Sequence, residues 1–276
     1  VKKHFDSKFS RFLDCNYFLI FKYANSWFSS SIFLMNFNYN INADLGEGMG
    51  NDKDIMPLIQ ACNIACGGHA GNKIEIQKTI ALAKENNILI GAHPSYPDVK
   101  NFGRHSLNLS EELLSKSVEQ QLSLLLNQLH PEKLHHVKLH GALYHDCNSN
   151  KQIAKTVLDV LKSLCPSALI FTPPQSVLGK QALKMGFVIW PEAFIDRAYK
   201  DNGQLVSRSE KNAVFNEPKQ LFKRFVNLIQ KKGVFSINNI WIPLYAKTFC
   251  IHGDHPNAAY NLNAMLEYFK KLNPRP

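Results

Sequence analysis

The sequence predicts a single-domain α/β fold built as a distorted (β/α) barrel, and three observations predict it. Strand-like and helix-like runs alternate along the chain without a long linker, which implies mostly parallel β units. About seven strand-like runs follow one another unbroken, which favours a closed barrel over two domains, with an open doubly wound sheet as the rival arrangement. The chain has 276 residues, enough to bury one sizeable core.

The elements follow in order. Residues 38–43 (N-Y-N-I-N-A) read as a short strand that enters the Gly-rich turn D-L-G-E-G at 44–48. A short helix is expected over 52–60, then a strand from Cys62 to Cys66 that ends in G-G-H-A-G. An amphipathic helix over 73–86 carries Ile76, Ile80 and Ala83 on one stripe, and Asn86-Asn87 break it. Residues 88–92 form a buried strand that ends at His93. Ser110 caps a helix whose apolar positions Leu114, Val118, Leu122, Leu125 and Leu129 run to Pro131. Further strands are expected at 135–139, 168–171, 187–190 and near 247–251. Helices are expected at 151–163, 175–185, 217–232 and about 257–271, the last just after Pro256.

Residues 1–34 read differently. Tyr17 to Met35 is rich in Phe, Ile and Leu, but Lys22, Asn25, Trp27 and serines interrupt it, so it falls short of a membrane span. It also lacks a small-residue cleavage site for secretion. Residues 1–34 are therefore expected to be an extension, non-native or poorly ordered, with Met35 as the natural start and 35–276 as the catalytic domain.

Composition narrows the function classes. The net charge is +10, but the basic residues are dispersed in pairs such as Lys231-Lys232, without an Arg-rich stripe or zinc-finger spacing, which argues against nucleic acid. Of the six cysteines, Cys62 and Cys66 are four apart and make no redox motif. Free thiols in a reducing cytoplasm are the simpler reading, with no membrane association expected.

Chemistry concentrates where parallel α/β folds place ligands, at the carboxyl ends of strands. Asp44 and Glu47 follow the first strand, His69 the second and His93 the third; Lys138 and His140 end the fourth. Glu192, Asp196 and Arg197 follow the strand ending at Trp190, and His252 and Asp254 follow the last. Glycines beside these histidines permit close approach of backbone or substrate. His4, His130, His135, His136, His145 and His255 read as solvent-facing, turn or supporting residues. Two chemistries fit the rim. His69, His93, His140 and Asp44 are candidate ligands for a divalent metal that activates water. Equally, they act without metal as acid and base while Lys138 and Arg197 stabilise negative charge. Neither H-E-x-x-H nor a G-x-G-x-x-G or P-loop motif is present. Residues 91–104 read as a rim loop or substrate lid with Arg104 as an anion clamp, and 196–212 as a second lid.

These segments resemble the LamB/YcsF family. The resemblance rests on N-A-D-L-G-E-G at 42–48, N-I-A-C-G-G-H-A-G at 63–71, G-A-H-P-S-Y-P-D at 91–98, F-G-R at 102–104 and K-L-H-G-A-L-Y at 138–144. It continues through E-A-F-I-D-R-A-Y at 192–199, L-V-S-R at 205–208 and C-I-H-G-D-H-P at 250–256. The resemblance implies a barrel of the polysaccharide-deacetylase type. It also implies opening of the 5-oxoproline lactam to L-glutamate with ATP and Mg2+, in company with the 5-oxoprolinase B and C subunits; a homo-oligomer is compatible. It carries function to Asp44, His69, His93, Lys138, His140 and Asp254 as catalytic groups. Glu47, Arg104, Glu192, Arg197 and His252 are the corresponding substrate-binding groups. The chain departs from the family pattern at Gly68, Asn72 and Leu139; Gly68, where Phe is usual, is expected to widen or loosen the pocket. The alternatives are a metal-dependent deacetylase or amidohydrolase that needs no ATP, and a regulatory protein that only binds a small molecule.

Overall fold

In Asn40–Leu45 (β1) the polar residues Asn40, Asn42 and Asp44 alternate with Ile41, Ala43 and Leu45. Successive strand side chains point to opposite faces, so this strand carries a polar face and an apolar face, and nearly all of both is buried. A barrel whose lumen is polar and whose outside is covered by helices satisfies that pattern. The computed structural model, which describes residues 39–254 and 257–272, has this arrangement. The extension expected at 1–34, Met35, His4, His255 and Pro256 lie outside the described residues.

After β1 come α1 (Asp52–Ile55) with a 3-10 turn at Met56–Leu58, β2 (Ala61–Ala65), α2 (Lys73–Glu85), β3 (Leu89–His93) and α3 (Glu111–Leu129). The chain continues through β4 (His136–Lys138), α4 (Gly141–Ser149), α5 (Lys151–Leu164), β5 (Leu169–Thr172), α6 (Val177–Lys184) and β6 (Ile189–Phe194). It ends with α7 (Pro218–Val226), β7 (Gly233–Phe235), β8 (Trp241–Pro243), β9 (Thr248–His252) and α8 (Ala258–Leu272). Seven strands close the barrel in the order β1-β2-β3-β4-β5-β6-β9, all pairs parallel. β9 closes it by pairing with both β1 and β6, which rules out the open doubly wound sheet. β7 and β8 form a separate antiparallel pair.

Local signals explain most boundaries. The Asn72 side chain accepts from the Ile74 and Glu75 amides, and Ser110 accepts from Leu113, so both helices start on a side-chain cap. Two elements stand outside those expected from the sequence. α4 follows His140 at once with no side-chain cap, and β7–β8 lies in a segment without clear alternation. The helix expected over 217–232 is α-helical only to Val226, then passes through a π turn to Lys232 in the left-handed region.

The lumen is held by hydrogen bonds between strands that are not all neighbours. Asn42 Nδ2 donates to Glu192 Oε1 (3.1 Å) and to Thr248 Oγ1 (2.8 Å), and Asn63 Nδ2 donates to Asn42 Oδ1 (2.8 Å). His136 Nε2 donates to Asn63 Oδ1 (2.7 Å), and its ring stacks on Phe171. Of the readings given for His136, the solvent-facing and turn ones are corrected and the supporting one agrees with the structure: it is fully buried and holds Asn63, which donates to Asp44. It lies two residues before Lys138 on β4, so both point into the same lumen. Gly91, its register partner on β3, makes the room, since a Cβ there would lie 2.2 Å from His136 Nε2.

Gly91→Ala is expected to lower unfolding stability by about 1–3 kcal/mol through overpacking, read by urea denaturation. Burial holds the His136 pKa well below its ordinary value, so the folded ring stays neutral where the unfolded one takes a proton. Stability should therefore fall as pH drops below about 6.5, by up to about 1.4 kcal/mol per pH unit from this residue. His136→Gln should flatten the slope.

Candidate functional site

The carboxyl ends of β1, β2, β3, β4, β6 and β9 bring most of the expected residues together. Asp44 is the last lumen-facing residue of β1, with Asn63 opposite on β2 and His252 opposite on β9. Glu47 hangs from the turn after β1, where Gly46 and Gly48 take positive φ. His69 sits in the loop after β2, which returns through Gly71 at φ +83; a Cβ there would lie 2.8 Å from the Ala65 carbonyl oxygen. His93 ends β3, while Lys138 and His140 bracket the end of β4.

A buried ion pair forms the floor. Lys138 Nζ donates to Asp44 Oδ1 at 2.7 Å and to Cys250 Sγ at 2.9 Å, and Glu192 Oε1 lies 3.5 Å away. Burial opposes charge on Asp44, but His93 and Lys138 beside it hold its carboxyl well below the usual range. Burial likewise opposes the ammonium, yet Asp44 holds the Lys138 pKa well above its ordinary value. Burial pushes the Glu192 carboxyl up despite Lys138, and Tyr144 donates to its Oε2 at 3.0 Å.

Above the floor, three imidazoles pack against Glu47. His69 and His140 stack with centroids 3.6 Å apart, and His69 Nε2 lies 3.2 Å from Glu47 Oε1. His140 Nδ1 lies 3.0 Å from His93 Nε2, and His93 Nε2 lies 3.3 Å from Asp44 Oδ2. Burial lowers the pKa of both His69 and His140. One atom from each of Glu47, His69, His93 and His140 falls in a group no wider than 4.8 Å. Asp44, expected among the metal ligands, stands beside this group against Lys138, and Glu47 occupies the carboxylate position within it. The strap Phe102-Gly103-Arg104 covers the rings. Phe102 supplies a carbonyl to His140, and Gly103 passes so close that a Cβ there would lie 2.9 Å from His69 Cβ.

A cavity of about 160 Å3 opens over this floor. Arg104 and Arg208 both donate to Asp254 Oδ2, at 2.6 and 2.7 Å, so Arg104 reaches its expected rim position already paired. Arg197 donates Nη2 to the Val206 carbonyl, while its Nε is buried without a hydrogen-bond partner. His252 is fixed by Asp196, whose carboxyl accepts from both its backbone amide (3.0 Å) and its ring (2.9 Å).

Gly68 does not widen the pocket. A Cβ there would lie 2.2 Å from Gln121 Oε1, and Gln121 is clamped to the Ser95 backbone through both side-chain ends, so its side chain fills the space. Burial pushes the Cys62 and Cys66 thiols up to about 12, which removes them as nucleophiles. Asn42, Asn63 and Tyr144 complete the site without standing out as site residues in the sequence, while Asp196 and Arg208 come from the strand end and the second lid expected to contribute. The alternation in N-I-N-A-D-L is the available signal for Asn42, because it places that residue on the face of Asp44.

Known proteins match along most of the chain. The LamB/YcsF family matches residues 39–273. The A subunit of 5-oxoprolinase from Staphylococcus aureus is 36% identical over 239 residues, covering 84% of this chain and 96% of the relative. The crystal structure of the lactam utilization protein from Thermus thermophilus is similar with a TM-score of 0.78 and 32% identity, over 85% of this chain and 97% of that one. A GH18 chitinase from Pseudoalteromonas aurantia shares the fold alone, at a TM-score of 0.51 and 8% identity, over 83% of this chain and 99% of the other. The motifs that line the floor and strap of this barrel thus sit within a family match spanning nearly the whole described chain, and the chain belongs to the LamB/YcsF family.

Proposed function

We propose that this chain is the ring-opening subunit of an ATP-dependent 5-oxoprolinase. It hydrolyses the lactam of 5-oxoproline to L-glutamate, with Mg2+-bound ATP as co-substrate and the B and C subunits as partners, in the cytoplasm. The observation that carries this reading is the two kinds of group that line the cavity: guanidinium groups, and an ionised Asp44 carboxylate with the imidazole of His140, whose pKa burial holds well below its ordinary value. A compact cyclic amide bearing one carboxylate matches that division. The names of the relatives, a 5-oxoprolinase A subunit and a lactam utilization protein, support it. No described helix is long and apolar enough to cross a membrane, and the five described cysteines are free.

The residues divide the work as follows. Arg197, with its unpartnered Nε, and Arg208 receive the substrate carboxylate. The ring carbonyl then faces Asp44, His93 and His140. Water adds to the carbonyl carbon and yields a proton to the Asp44 carboxylate; the carbon–nitrogen bond breaks, and the ring nitrogen takes the proton as the amine of glutamate. Lys138 is fully hydrogen-bonded and so acts through its field, which favours the developing oxyanion. Asp254, between two arginines, closes the mouth.

ATP does not fit the turn after β1. Gly46 gives its amide to Asp52 Oδ2, and Glu47 turns its carboxylate toward the histidines, so two carboxylates stand where phosphates need donors. No nucleotide step is therefore assigned to these residues, and nucleotide handling falls to the partners.

Glutamate release from 5-oxoproline, measured with and without ATP and the candidate B and C subunits, tests the reading; no ATP-dependent turnover in the complete mixture refutes it. In the active mixture, Asp44→Asn and His140→Ala are each expected to cut kcat by about 10²–10⁴-fold while circular dichroism stays unchanged. Arg197→Lys should mainly raise KM, because a lysine cannot present a paired guanidinium edge to a carboxylate.

A further inference from the structure

The tautomers of two histidines are fixed by their surroundings. His93 Nδ1 lies 2.7 Å from the Lys138 carbonyl oxygen, and His140 Nε2 lies 2.8 Å from the Phe102 carbonyl oxygen. A carbonyl only accepts, so each of these nitrogens carries its ring's hydrogen. In the neutral rings, His93 Nε2 and His140 Nδ1 are then both bare lone pairs, and they face each other at 3.0 Å. Two lone pairs at that distance repel, so the arrangement calls for an electrophile between them: a shared proton or a cation.

The surroundings favour a cation. Glu47 Oε1 lies 3.8 Å from His140 Nδ1 and 3.2 Å from His69 Nε2, which brings a third nitrogen and a carboxylate oxygen to the same point. His69 Nδ1 is buried without a hydrogen-bond partner, so that ring is oriented through its Nε2 edge, its stack on His140 and its edge contacts with His93 and Phe102. Backbone carbonyls behind His93 and His140 are the outer partners that orient metal-bound imidazoles and raise their basicity. All four residues come from different segments, and the three histidines are almost wholly buried. A proton alone would need neither Glu47 nor His69.

We propose that Glu47, His69, His93 and His140 hold one divalent first-row transition-metal ion of the zinc type. Three imidazole nitrogens and one carboxylate oxygen suit such an ion better than magnesium or calcium, which take oxygen-rich shells. Glu47, His93 and His140 also line the cavity, so the ion would supply a Lewis acid at the ligand's edge. This assignment stands on the tautomers and the convergence of donors, and does not depend on the lactam reading.

The test is metal uptake by the full chain after chelator stripping and dialysis. Calorimetric titration with Zn2+ should give one equivalent per chain, and Co2+ should give a ligand-field spectrum of nitrogen and oxygen donors. His140→Ala and Glu47→Gln should each weaken Zn2+ binding by about tenfold or more, while His105→Ala, at an exposed position, should bind as the wild type does. Glu47→Gln is nearly isosteric, so circular dichroism and the melting temperature of the metal-free variant separate lost ligation from lost folding. Zn2+ should raise the wild-type Tm and raise that of Glu47→Gln less. No stoichiometric uptake, uptake unchanged in both variants, or an imidazole proton shared between His93 and His140 in NMR spectra of metal-saturated samples overturns the proposal. Metal uptake without lactam turnover would leave this site standing and remove the functional reading, and turnover without uptake would do the reverse.

Discussion

The pair Lys138–Asp44, closed in the lumen at 2.7 Å, is the constraint around which the barrel is arranged. Two charges removed from water lose several kcal/mol of solvation each, and their attraction offsets that loss only when the remaining polar atoms are also satisfied. The lumen meets that condition. Asn63 donates to Asp44, Cys250 accepts from Lys138, and Asn42 ties Glu192 and Thr248 to the same cluster. Strands β1, β2, β4, β6 and β9 are thereby pinned to one another across the barrel, independently of their ladder hydrogen bonds. The register that places Asp44 opposite both Asn63 and His252 is thus also the register that makes the charges tolerable.

The rim is built differently from the floor. There, glycines allow loops to come within contact of the imidazoles. Gly103 at φ +63 passes over His69 and His140, and Gly141 at φ +54 lies under the Gly103 carbonyl, so neither has space for a side chain. The Phe102 carbonyl gained by this close approach fixes the ring of His140. A segment that reads as a rim loop or substrate lid is consequently part of the site. Its outer end, Arg104, shares Asp254 with Arg208 and links three separate loops at the mouth.

Some of this is legible in the sequence because it depends on neighbours along the chain. Strand–helix alternation, the Ser110 and Asn72 caps and the placement of His93 and Lys138 at strand ends are local, set by periodicity and capping. For His136 the sequence leaves solvent-facing, turn and supporting roles open. Only the inward parity it shares with Lys138, and the missing side chain at Gly91, reveal a buried site for it. Gly68 misleads for a related reason: the space left by an absent side chain is filled from α3, a distant segment of the chain, by Gln121.

By its sequence alone, the chain already declares the kind of chemistry at its disposal. It supplies acids, imidazoles, a lysine and arginines at the ends of parallel strands, in motifs ordered as in the LamB/YcsF family. Which of them act together is a property of the folded barrel alone. Asp44 joins Lys138 while Glu47 joins the histidines, and His93 and His140 are turned so that their unprotonated nitrogens meet. Ion pairing and tautomer choice depend on distances of a few ångströms between segments far apart in the chain. Those distances are set only when the barrel closes and the strap folds over its rim.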